Sequence, residues 1–189
     1  MLADDFQALR IRRDDLPRAG SDVAEPSDGP SVRPVVDVLA VSLGEQRVAF
    51  LLADVDEVLP AVEVVPLPHA PAVIRGLINL RGEPLPIIDL RTRLGLLRAP
   101  AHPDNHVLVC QVAGRAVGVW VDHAEGVRQL EVVDIAPLDA PAAGRHLVGA
   151  AMVEDGVLLV SDVESFLNVA EAERLEQALA TMPEASDDA

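Results

Sequence analysis

From Val35 onward, apolar and polar residues alternate in short runs broken by turn residues. This period of two marks half-buried strands. Residues 35–43 alternate, Gly44-Glu45-Gln46 turns the chain, and residues 47–52 return, which predicts an opening hairpin. Residues 54–59 read as a short helical turn, and 62–67 as a strand closed by Pro66 and Pro68. Two apolar runs then flank a charged turn over 79–83. Residues 105–112 and 115–122 form a second hairpin about Gly114, and 127–133 form a further strand. Residues 147–154 and 157–161 pair about Asp155-Gly156, a strong hairpin signal. Only at the end does the period change. Val163, Phe166, Leu167, Leu175, Leu179 and Met182 recur at helical spacing and predict a helix over 171–181 stopped by Pro183.

Many short strands with turn signals about every 8–12 residues predict a closed all-β architecture, because closure removes exposed sheet edges. Pro84 and Pro86 sharpen this expectation. Two apart in one strand, they withhold N–H groups on the same side, so that side is an edge or a bulge. Residues 1–34 lack the alternation and hold Asp, Ser, Gly and Pro instead; they read as a disordered or partly helical acidic extension. Within them Phe6, Leu9 and Ile11 suit one or two helical turns, either a docking peptide or a frayed terminus. The folded domain is expected over 35–182, with an acidic tail over 183–189.

Composition narrows the function. Net charge is −16 and all fifteen basic residues are Arg. Such a chain repels nucleic acid and anionic lipid. The absence of Lys removes P-loop, Schiff-base and Ser–Lys chemistry. Cys110 is the sole cysteine, so neither an internal disulfide nor a thiolate metal cluster is expected. His102 and His106 are separated by Pro103 and lack an evident third ligand. No serine lies in a nucleophile-elbow context. The N-terminus has no signal-peptide pattern and no run is long enough to span a bilayer, so a cytoplasmic protein is expected, without direct membrane insertion. No catalytic residue, cofactor or metal is expected.

The most specific stretch is Val73 to Arg91. It carries Asn79-Leu80-Arg81-Gly82 and Ile88-Asp89-Leu90-Arg91, with a proline-rich strand between them. Arg81 on its turn is either a partner contact or an internal ion-pair donor to Glu57 or Asp89. Asp89 is expected to cap the turn over 91–94. Trp120 shares a strand face with Gly118, opposite Val117, Val119 and Val121, and points either to a groove or into a second core layer.

These two tetrapeptides resemble the signature of the CheW family, the adaptors of bacterial chemosensory arrays. Val55-Asp56-Glu57-Val58, Ile74-Arg75-Gly76, Val117-Gly118-Val119-Trp120-Val121-Asp122, Leu147-Val148-Gly149 and Val157-Leu158-Leu159-Val160 extend the resemblance over 36–179. It implies two interleaved five-stranded, SH3-like β-barrels around a shared hydrophobic core, with short helices and a C-terminal helix. It also implies a non-enzymatic adaptor that couples the cytoplasmic tip of a methyl-accepting chemoreceptor to the regulatory domain of a CheA-type histidine kinase. Other CheW-like domains are further candidate partners. By position, the resemblance assigns partner contact to Val55, Glu57, Gly76, Arg81, Gly118 and Val127, with Asn79 in the same turn. Gly118, Trp120 and Val127 are expected to line the groove between the barrels. The chain departs from the family at Asp122-His123-Ala124, where the family has Asp-Gly-Val beside the receptor groove. That departure motivates the alternative of a CheW-like regulatory relative that binds kinase or other CheW-like domains without coupling receptors.

Overall fold

The computed structural model describes residues 34–138 and 146–181. The expected N-terminal extension and acidic tail lie outside them. Eleven strands form two sheets, ordered β8-β1-β2-β11-β10-β9 and β3-β6-β7-β5-β4. The first sheet holds β1 (Val35–Leu43), β2 (Gln46–Leu51), β8 (His123–Glu131), β9 (Ile135–Pro137), β10 (Leu147–Val153) and β11 (Gly156–Ser161). The second holds β3 (Val55–Pro60), β4 (Ile74–Leu80), β5 (Glu83–Asp89), β6 (His106–Val112) and β7 (Arg115–Val121). The chain therefore begins one sheet, builds the whole of the other, and returns. This is the interleaving expected of the two subdomains.

The inner strands of each sheet bury both faces, which is why they read as dense in Val, Leu and Ile. Val38, Ala49, Leu130, Ile135, Leu158 and Val160 cluster inside the first sheet. Ile78, Leu85, Ile87, Val107, Val109 and Trp120 cluster inside the second. A sheet that buries one face against itself must curl. The opposite faces meet in a shared core that includes Val41, Phe50, Ile88, Leu108 and Val119. Phe50 and Phe166 pack edge to face there, with centroids 5.9 Å apart. The two sheets, of six and five strands, match the expected pair of SH3-like subdomains, although neither hydrogen-bonds into a closed ring among the described residues.

Two local expectations are corrected. The helical turn expected over 54–59 is a single 3-10 turn, Leu52–Asp54, followed by strand β3. There the alternation of exposed and half-buried residues governs, as befits an edge strand. Residues 62–67 make no strand and contribute only the bridge Val65–Leu77, because Pro60, Pro66 and Pro68 interrupt the donors a ladder needs. Among the described residues the α-helices are α1 (Leu90–Arg93) and α2 (Val169–Ala180). The second starts two residues before the expected helix because Asn168 and Glu171 form a reciprocal capping box, with bonds of 2.9 and 3.0 Å. Leu175 and Ala178 turn its apolar stripe onto the shared core.

Candidate functional site

The turn of the β4–β5 hairpin comprises only Arg81 and Gly82, at φ of 55° and 94°. A two-residue turn with both φ values positive matches the twist of its flanking strands. Asn79 braces it, its Oδ1 accepting from the Gly82 N–H at 2.7 Å. Arg81 thus stands on a fixed base. Its Nη2 donates to both carboxylate oxygens of Glu57, at 3.0 and 2.9 Å, while its side chain remains 75% exposed. β3 and β4 are the two edges of the five-stranded sheet, so this ion pair joins the edges where the sheet curls round. Of the two internal partners open to Arg81 from the sequence, Glu57 is the one used.

Asp89 belongs to a different construction. Its carboxylate is 1% exposed, and its Oδ1 accepts from the Thr92 N–H at 2.9 Å, capping α1 as expected. Its Oδ2 receives Arg75 Nη1 at 2.9 Å and pairs with Arg98 Nε at 3.1 Å. The Arg75 guanidinium also lies 4.4 Å from the centroid of the Trp120 ring. Two residues on, Arg91 clasps Asp122 through two hydrogen bonds, the Nε bond measuring 2.9 Å. The same carboxylate accepts from the Gly44 N–H at 2.8 Å, tying the β1–β2 turn of one sheet to the β7–β8 crossing from the other. The Arg91 hydrogen bond holds the Asp122 pKa below the usual aspartate value, with help from Gly44 and against partial burial. The two signature tetrapeptides therefore divide their work. The first presents an exposed arginine, and the second, at the far end of β5, locks the sheets together.

The remaining expected residues separate. Val55 lies two residues before Glu57 on β3 and packs against the shared core. Gly76 is buried under Val65, whose carbonyl oxygen would sit 2.2 Å from any Cβ placed there. Its role in this geometry is close backbone approach. The expectation that Gly118 and Trp120 line a groove is corrected. A Cβ at Gly118 would lie 2.4 Å from Ile87 Cδ1 and 2.6 Å from Val107 Cγ1, inside the curled sheet. Trp120 is 3% exposed in the same cluster, the second core layer that the strand pattern left open. Val127 is 58% exposed, on the edge strand β8 opposite Leu39. Its strand lies in the sheet that does not carry Arg81.

Sequence reasoning did not find the cleft beside the turn. β7 joins β5 only from Ile87 onward, so the half of β5 that carries Pro84 and Pro86 has an open side. A cleft of about 910 Å³ opens there, lined mostly by apolar side chains including Ile78, Leu85 and Leu179. The signal for it was the proline pair, whose missing donors forbid a neighbour. Among the described residues, no three His, Cys, Asp or Glu side chains are grouped to hold a metal ion, and no helix is long and apolar enough to cross a membrane.

The family model described as the CheW-like domain matches residues 37–171. A chemotaxis protein CheW of Rhizobium meliloti is 36% identical over 101 residues, which are 53% of this chain and 65% of that protein. The match thus spans just under two thirds of that relative. FrzA of Myxococcus xanthus is 34% identical over 119 residues, covering 62% of this chain and 74% of FrzA. The crystal structure of the scaffolding protein TtCheW from Thermoanaerobacter tengcongensis superposes with a TM-score of 0.66 at 25% identity, covering 72% of this chain and 94% of that one. Fold, signature and relatives agree: the chain belongs to the CheW-like domain family.

Proposed function

We propose that this protein is a cytoplasmic, non-enzymatic chemosensory adaptor that couples a chemoreceptor tip to the regulatory domain of a CheA-type histidine kinase. One observation carries the reading: the Arg81–Glu57 pair stands exposed on a rigid two-residue turn. An exposed ion pair is worth about 0–1 kcal/mol, so its contribution to folding is a weak reason for this geometry. Such a pair exchanges its partner at little cost, and an exposed guanidinium on a fixed base is a natural interface anchor. Val55, Glu57, Asn79 and Arg81 form the contact surface, while Gly76, Gly118 and Trp120 support it by packing. Val127 offers a second, separate surface on the other sheet. Individually weak contacts at two surfaces gain strength when many copies assemble.

The experiment is a binding titration of the purified chain against a kinase regulatory domain and, separately, against a receptor-tip fragment. Binding to both supports coupling. Binding to the kinase domain alone supports the second reading, a kinase-binding relative without receptor engagement. The departure at His123-Ala124 favours that second reading, with His123 packed edge to face on His106 at 5.3 Å. Binding to neither overturns both.

A further inference from the structure

The cleft beside the Arg81 turn is lined mainly by apolar side chains, with Glu83 and Arg115 as its charged members. Leu77, Ile78, Leu85 and Leu179 line the floor, and Pro84 and Pro86 give its wall no N–H donors. An occupant is therefore held by inserted side chains and not by strand addition to β5. Glu83 carries no ion pair among the described residues, whereas Arg115 pairs at 3.5 Å with Glu176, which lies outside the lining.

The chain itself carries a segment of complementary chemistry. Residues 6–13, Phe-Gln-Ala-Leu-Arg-Ile-Arg-Arg, hold three apolar residues larger than alanine and three arginines, without one acid, in a chain of net charge −16. Phe6 and Leu9 are three apart, so a single helical turn puts both on one face. The segment lies outside the described residues. The described chain begins at Pro34, whose carbonyl oxygen accepts from the Val132 N–H at 2.9 Å. A connection of roughly 20 residues has an r.m.s. reach of about 25 Å as a flexible chain, and about 70 Å fully extended. A domain this size is about 40 Å across, so every part of its surface is within reach.

We propose that residues 6–13 dock into this cleft of the same chain, Phe6 and Leu9 on its floor and an arginine toward Glu83. The docked segment would lie against the turn that carries Arg81 and so compete with any partner bound there.

The test uses the full chain without a partner, so its outcome is independent of the adaptor reading. A nitroxide is attached at Gln7→Cys. Cys110 is buried, its thiol pushed up to about 12 by burial, and does not compete for the label. The expected result is loss of the methyl signals of Ile78, Leu80, Leu85 and Leu179 in the paramagnetic state. The loss is expected to be independent of protein concentration and reversed by adding Phe6→Glu and Leu9→Glu. Unaffected cleft methyls would overturn the proposal. So would broadening seen only when spin-labelled chains are mixed with isotope-labelled ones, which would assign the cleft to a second copy.

Discussion

Replacing Asp89 with Asn tests the buried lock at the end of β5 opposite the Arg81 turn. The substitution keeps the size and the helix cap, since Asn serves as well as Asp at that position. It removes the negative charge and places an amide N–H₂ where Oδ2 now receives Arg75 at 2.9 Å and pairs with Arg98 at 3.1 Å. Donors then face donors around a carboxylate site that is 1% exposed. Breaking a buried pair on one side costs about 3–5 kcal/mol. Arg75 also approaches the Ala99 carbonyl oxygen at 3.4 Å, which offsets part of that, so a loss of about 3 kcal/mol is expected. For a domain of this size that is a fall in Tm of roughly 6–12 °C. Arg98→Gln is the control. Arg98 is 43% exposed, so its removal is expected to cost under about 1 kcal/mol. Urea unfolding of both variants, read at constant m, decides. Equal losses, or a loss below about 1 kcal/mol for D89N, would refute the claim that one buried carboxylate organises this region.

Two further variants probe the packing and the clasp. Gly118→Ala forces a methyl to within 2.4 Å of Ile87 Cδ1, so urea unfolding is expected to show a loss of about 1–3 kcal/mol from overpacking; an unchanged midpoint would mean the curled sheet has room there. Asp122 has a folded pKa below its unfolded value, so its contribution is fully present above about pH 4 and is lost as pH falls through the lower folded value. The stability gap between wild type and Asp122→Asn is therefore expected to narrow as pH falls from about 5 toward 2, and a gap constant with pH would contradict the ionic clasp.

How far the sequence could be read depended on the range of the interaction involved. Strand alternation and turn residues located the hairpins, because both are local. Arg81-Gly82 and Asp155-Gly156 announced their turns by residue type alone. The segment over 54–59 reads as a helical turn, whereas pairing with β6, which no local pattern encodes, makes it an edge strand. Trp120 and Gly118 were assigned by resemblance to a groove. Their burial follows from the curl of the sheet, a tertiary property that packs Ile87 and Val107 onto the glycine. The second tetrapeptide shows the same division. The Asp89 cap was legible from three residues of spacing, but the reach of Arg91 to Asp122, and through it to Gly44, depends on two sheets meeting. The cleft was half legible, since the proline pair required an open side without revealing that Leu179 of the C-terminal helix would help to line it.

The central claim is that Arg81 is presented to a partner, not spent on holding the sheet edges together. A charge swap separates these roles. Glu57→Arg with Arg81→Glu restores the internal pair in reversed polarity. The structure predicts that the doubly swapped chain unfolds within about 0.5 kcal/mol of wild type, because the pair is exposed. It also predicts that affinity for the kinase regulatory domain, measured by titration calorimetry, falls at least tenfold and is not restored by the swap. Recovery of wild-type affinity in the double variant would show that the pair acts only within the chain, and would contradict the account.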